Sequence, residues 1–147
     1  MSMAPIADYL QADHVHCDRL FADAENAVAV ADWQEARALF DRFAADTERH
    51  FRREEDTLFP AFETQTGMQA GPTFVMRQEH DQMREVLQAM DEAILRQNSD
   101  GYLGLSETLL MLMRQHNLKE EQILYPMCDR ALAGQAADLV RKMAAPG

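Results

Sequence analysis

A chain of 147 residues is long enough for one domain with a real core and too short for two of ordinary size. Hydrophobic residues make up 47% and charged residues 27%, which excludes a disordered or low-complexity polymer. With 14 Lys and Arg against 25 Asp and Glu, the net charge of -11 repels phosphate backbones and anionic lipids, so nucleic acid and membrane surfaces are not expected partners.

Ala, Leu, Glu, Gln, Arg and Met dominate, and no sustained alternation of Val, Ile or Thr suggests a strand, so the chain is expected to be all helix. A first helix is predicted from about Pro5 to about Val30, with Leu10, Cys17, Phe21 and Val28 at helical spacing. Asp32 is placed to cap a second helix, whose inward stripe reads Ala36, Leu39, Phe43, Phe51 and Leu58. That helix is expected to end near Phe62, with Pro60 bending its last turn. Thr64 to Pro72, with Gly67, Gly71 and Pro72, is the clearest loop. A third helix follows from about Thr73 to Gln97, and Asn98-Ser99-Asp100-Gly101 forms a turn. The fourth helix is predicted from near Tyr102 to about Asp129, with Pro126 near its end. Gly134 precedes a short amphipathic piece, Ala136 to Met143.

The most informative feature is an internal repeat. Residues 50 to 60 read HFRREEDTLFP and residues 116 to 126 read HNLKEEQILYP, both following His-x-x-basic-Glu-Glu-x-x-Leu-aromatic-Pro. The two histidines are 66 residues apart, and the same offset relates His14 to His80. Each half is therefore a helical hairpin with one His on its first helix and His-x-x-x-Glu on its second. Two such hairpins, about 5–65 and 73–130, make one domain over 1–147. Its expected architecture is an antiparallel up-down-up-down four-helix bundle with a short C-terminal helix.

Residues four apart on a helix differ by only about 40° in direction, so His50 and Glu54 share a face, as do His116 and Glu120. Leu39, Phe43, Thr57 and Leu58 mark the His50 face as inward, and Leu109, Leu112, Met113 and Ile123 do the same for His116. The second glutamates, Glu55 and Glu121, are expected to point well away. His14 lies with Leu10, Cys17 and Phe21, and His80 with Met76, Met83 and Leu87. His16, about 200° round from His14, lies with Tyr9, Asp13 and Asp23 and is read as outward. Four imidazoles and two carboxylates in an apolar interior would be costly to bury uncompensated. Two metal ions fit the count: each takes two His and one oxygen from each bridging Glu, and a bridging oxo or hydroxo raises each to five ligands, leaving one position open. Imidazole with carboxylate suits iron, zinc or manganese, and iron is the expected metal because open positions beside bridging carboxylates suit dioxygen or nitric oxide.

Each of these residues also has an ordinary reading. A single His-x-x-x-Glu on a helix is commonly a surface pair, and it is the repetition that sets these apart. His16 is either a solvated histidine or a rival of His14. Cys17 is core packing or a thiolate ligand. Asp46 is a surface group or the acceptor of a ring N–H from a ligand histidine. The ten Met residues read mainly as bundle filler.

From Asp13-His14 through HFRREEDTLFP and QEHDQM to HNLKEEQILYP, the sequence resembles the hemerythrin-like, or HHE cation-binding, domain over nearly its whole length. The resemblance implies a di-iron centre held by His14, His50, Glu54, His80, His116 and Glu120, with Glu54 and Glu120 bridging. Two positions depart from the oxygen-carrying members. Met76 stands where those have a further histidine, and Glu120 follows its histidine by four residues rather than five, with Glu121 at the five-residue position. Both departures look similar to the bacterial proteins implicated in nitric oxide handling and repair of iron-sulfur centres.

The expected function is therefore binding of a small diatomic gas, dioxygen or nitric oxide, for storage, sensing or detoxification. The alternatives are a di-iron oxidoreductase acting on nitric oxide or peroxide or repairing iron centres, and a metal-free helical interaction module. No general acid or base beyond the ligands stands out, so any catalysis would be metal-centred. The longest apolar stretch, around Leu109 to Met113, is far short of the roughly 20 residues of a spanning helix. Met1 to Leu10 lacks the features of a secretory signal. Cys17 and Cys128 are too few for a disulfide framework and are expected to be reduced and buried. A cytoplasmic monomer or homodimer, served by an unidentified redox partner, is the resulting expectation.

Overall fold

The computed structural model describes residues 3–146, and four helical rods make up its body. The first rod is α1 (Pro5–Ala29). The second runs without a break through α2 (Trp33–Arg52), the π-helical turn π1 (Arg53–Leu58) and α3 (Phe59–Thr66). The third is α4 (Pro72–Leu95), and the fourth runs through α5 (Ser99–Lys119), a second π-helical turn π2 (Glu120–Leu124) and α6 (Tyr125–Ala131). A short α7 (Ala136–Ala144) follows. α1 packs along α2 and α4 along α5, and contacts of α1 with α5 and of α2 with α4 close the ring. With short turns between consecutive rods, this is the expected up-down-up-down bundle.

The ends of the rods follow from local chemistry. Asp32 caps α2, accepting the N–H of Glu35 at 3.2 Å, as its position predicts. Asn98 caps α5 through the N–H of Gly101 at 3.0 Å, so that helix starts at Ser99 rather than Tyr102. The supposed turn is its cap and first turn. At the N-terminus of α1 the capping position is Ala4, whose side chain has no acceptor to offer. Asp129 of α6 supplies one from across the bundle, its two oxygens taking the N–H groups of Ile6 and Ala7 at 3.0 Å each.

The second rod continues to Thr66, past the end expected near Phe62. Pro60 sits at the start of α3, directly after π1, and Pro126 sits likewise after π2. The wider turn before each proline, closed by Phe59 N–H to Glu54 O and by Tyr125 N–H to Glu120 O, accommodates the missing N–H, so neither proline ends its rod. Gly67 at φ +72° ends α3, its N–H reaching the carbonyl of Glu63 at 2.8 Å. Ala31 and Gln97, 66 residues apart, end the turns after α1 and α4 in the same left-handed conformation.

The core falls into two apolar clusters. One holds Phe21, Phe40, Phe43, Phe51, Met83, Met90, Tyr102 and Leu109. The other holds Ile6, Leu10, Leu58, Phe59, Phe62, Met76, Leu124, Tyr125 and Cys128, and is covered by Leu139 and Met143 of α7, which packs on α1 and π1. Phe40 rather than Leu39 joins Ala36 and Phe43 in the buried stripe of α2, and Leu39 packs at its edge. Ile123, expected to face inward, is 57% exposed, because π2 shifts the phase of the residues after Glu120. Between the clusters lies a polar layer.

Candidate metal centre

That layer is His14, His50, Glu54, His80, His116 and Glu120, all buried. Each rod contributes at the same height: α1 gives His14, the second rod His50 and Glu54, α4 His80, and the fourth rod His116 and Glu120. All six residues expected to face inward are therefore together. Two groups within them place their ligand atoms close enough to hold a metal ion: Glu54, His80, His116 and Glu120, and His14, His50 and Glu120.

The four imidazoles are oriented alike. Every Nδ1 faces a carboxylate on the next rod: His14 to Glu121 at 2.7 Å, His50 to Asp13 at 2.9 Å, His80 to Glu55 at 2.6 Å and His116 to Glu79 at 2.8 Å. Asp13 of α1 serves α2, Glu55 of π1 serves α4, Glu79 of α4 serves α5, and Glu121 of π2 serves α1. The hydrogen bonds thus run once around the bundle in one direction. With Nδ1–H donating to a carboxylate, each Nε2 is left facing inward, and its lone pair is available to a cation once the inner proton is displaced.

Here several sequence expectations are corrected. Glu55 and Glu121 do not point away. A residue one step from an inward position is turned by about 100°, which in a four-rod bundle aims it at the neighbouring rod. Asp13, expected beside outward-facing His16, does the same for His50. Asp46 does not serve His50; it binds His16 at 2.7 Å, and that imidazole is 43% exposed, outside the cluster. Glu121, 36% exposed, meets the outer nitrogen of His14. Cys17 is buried in the apolar core, and both Cys17 and Cys128 are free. Met76 is likewise packed among apolar neighbours.

Basic residues anchor three of the four outer carboxylates. Arg53 binds both oxygens of Asp13 at 2.8 and 2.9 Å, Arg84 binds both oxygens of Glu55 at 3.0 Å each, and Lys119 pairs with Glu79. Burial opposes the charge on Glu55, but His80 and Arg84 outweigh it and hold its pKa down to about 2. Glu79 and Asp13 are held low by the same kind of partners.

Inside, the charges are poorly compensated. The Nε2 atoms of His50, His80 and His116, with Glu54 Oε1 and Glu120 Oε2, are buried and make no hydrogen bond. Burial and the nearby Glu120 charge raise the pKa of Glu54. Burial disfavours a charged His116, yet the Glu120 and Glu79 carboxylates push its pKa up to about 10, and His14 and His80 are also raised by their carboxylate neighbours. Five buried nitrogen and oxygen atoms without partners, converging in an apolar interior, are what a cation would satisfy once it displaces the imidazole protons. The donor set fits a metal.

Sequence reasoning missed Tyr125. It is fully buried, and its hydroxyl donates toward Glu54 Oε2 at 2.6 Å and Glu120 Oε1 at 2.9 Å and lies 3.2 Å from His14 Nε2. The repeat showed an aromatic residue there, but not where its oxygen goes.

The family model for the hemerythrin HHE cation-binding domain matches residues 6–128, most of the chain, and the protein belongs to that family. No curated protein and no solved structure is significantly similar to it in the corresponding comparisons. The family and the buried His/Glu cluster together make it a helical-bundle protein of metal-binding type. No helix among the described residues is long and apolar enough to cross a membrane.

Proposed function

We propose that this chain is a non-haem di-iron protein that binds dioxygen or nitric oxide for storage, sensing or detoxification. The observation that carries the reading is the inward convergence of His14, His50, Glu54, His80, His116 and Glu120 with five of their ligand atoms unpaired. In this reading His14 with His50 would hold one ion and His80 with His116 the other, with the Glu54 and Glu120 carboxylates completing the donor set. When bound, iron would supply redox chemistry and Lewis acidity toward a small diatomic molecule, and zinc or manganese could occupy the same donors.

The chain's own residues do the rest. Asp13, Glu55, Glu79 and Glu121 fix the tautomer and tilt of each imidazole, so that the inner nitrogens are presented without reorganisation. The apolar clusters holding Phe21 and Met113 on one side and Met76 and Leu58 on the other flank the polar layer, which favours small ligands. Two free, buried cysteines suit a reducing compartment, and we place the protein in the cytoplasm.

Elemental analysis of protein purified without oxygen or chelator, with optical spectra through cycles of gas addition and removal, tests this. Two irons per chain and a reversible spectral change are expected. No iron, or a single tightly held zinc, overturns the reading. Met76, in the place of a further imidazole one turn before His80, favours a second reading: an oxidoreductase acting on nitric oxide or peroxide, or in repair of iron centres. Multiple turnovers with an added electron donor would establish it, and a single stoichiometric reaction would exclude it. A metal-free interaction module requires stability unchanged by chelation, which the orphaned buried donors argue against.

A further inference from the structure

The two halves of the molecule match closely around the centre, so the places where they differ are informative. Asp13 matches Glu79, Glu55 matches Glu121, and Arg53 matches Lys119, each pair 66 residues apart. The aromatic residue of the repeated motif does not match in chemistry: it is Phe59 in the first half and Tyr125 in the second. Phe59 stacks on His80 at 5.9 Å between ring centroids and offers no donor atom. Tyr125 puts an oxygen into the centre.

Three polar atoms, two of them carboxylate oxygens, crowd that oxygen. Glu54 Oε2, Glu120 Oε1 and His14 Nε2 lie 2.6, 2.9 and 3.2 Å from it. The His14 Nδ1–H is directed to Glu121, and its Nε2 also lies 3.1 Å from Glu120 Oε1. A phenol has one proton and can serve only one of the two carboxylates at a time. Donor atoms bound to one ion at about 2.0–2.2 Å stand about 3 Å apart when they meet at right angles. The three separations cluster around that spacing.

Resting on the two-metal reading above, we infer that Tyr125 Oη is itself a metal ligand at the His14–His50 position, with no counterpart at the His80–His116 position. On coordination an O–metal bond forms, the O–H bond breaks heterolytically and the proton leaves to solvent, as at other metal-bound protic ligands. The two metal positions are then chemically unlike, one with a phenolate oxygen and one walled by the Phe59 ring.

The test is the visible absorption and resonance Raman spectrum of the full chain loaded with ferric iron, with iron counted by elemental analysis. A phenolate-to-iron charge-transfer band with enhanced tyrosine ring modes is expected. It should vanish in Tyr125→Phe while two irons per chain remain. Tyr9→Phe and Tyr102→Phe should retain it, since Tyr9 lies against Arg53 and Tyr102 is in the apolar cluster of Phe40 and Phe43. Two irons in the unmodified protein without tyrosine modes overturn the Tyr125 assignment and leave the di-iron reading standing. Modes that survive in Tyr125→Phe overturn it as well. A chain that takes up no iron overturns both. The spectrum of the unmodified protein decides the matter even if the variant folds poorly.

Discussion

His116 illustrates how one residue is held for metal binding. Its Nδ1 is fixed by Glu79 and its Nε2 lies 3.2 Å from Glu120 without a hydrogen bond of acceptable geometry. In the metal-free protein the surrounding carboxylates favour the imidazolium, raising its pKa to about 10, with His14 and His80 raised in the same direction. A raised pKa means the folded chain holds the proton more tightly than the unfolded one. That stabilisation is complete below about 6.5 and is lost as pH rises through the folded value. The lowered carboxylates, Asp13, Glu55 and Glu79, act oppositely: their stabilisation is present above about 4.5 and is lost as pH falls toward about 2. Metal-free protein should therefore be most stable between about pH 4.5 and 6.5 and weaken toward pH 10, by at most about 1.4 kcal/mol per pH unit for each proton involved. Metal must displace those protons, so the loaded form should gain stability over pH 6 to 8. Denaturation of both forms across this range would show slopes of opposite sign, and parallel slopes would refute the account. At the same scale, Asp13→Asn removes the charge that orients His50, and metal affinity should fall about 10- to 100-fold with helix content unchanged in circular dichroism.

Among the elements, the π turns carry the most information. Both contain a glutamate of the centre in their first two residues, and both are followed at once by an aromatic residue and a proline. A π turn accommodates an extra residue within the helix, so the positions after Glu54 and Glu120 are rotated relative to a plain α-helix. This explains why the wheel that placed the six inward residues failed at Ile123. The cap on α1 is another property of elements rather than of residues. Asp129→Ala should cost about 1 to 2 kcal/mol in chemical denaturation, because two N–H groups at the start of α1 lose their acceptors together. A change below about 0.3 kcal/mol would mean that solvent replaces the carboxylate fully. Gly67→Ala forces an L side chain into a left-handed φ of 72° and should cost about 1 kcal/mol, although nothing nearby would clash with the new methyl.

Across the whole molecule, stability and metal are linked. The polar layer interrupts the core, so the metal-free bundle rests on two separate apolar clusters with unpaired polar atoms between them. Phe43→Ala in the first cluster should remove about 3 to 5 kcal/mol, a large part of the roughly 5–15 kcal/mol of an ordinary domain. Added metal should restore much of the loss by binding only the folded form, about 2.7 kcal/mol at a hundredfold excess over Kd. Melting temperature that rises with free metal in the variant would support this coupling, and a melting temperature indifferent to metal would contradict it.

The repeat in the sequence determined the four rods, the pairing of hairpins and the six inward side chains, because each depends on helical spacing and on the 66-residue offset alone. Asp32 as a cap and α7 as a short amphipathic helix were legible for the same reason. The tertiary structure decided everything that depends on which rod stands beside which. Asp13, Glu55, Glu79 and Glu121 sit one step from inward positions, where a helical wheel sees only a sideways direction; whether that direction meets solvent or an imidazole depends on the neighbouring rod. The extent of the second rod and the burial of Tyr125 depended on the π turns, whose wider winding has no signature in hydrophobic spacing.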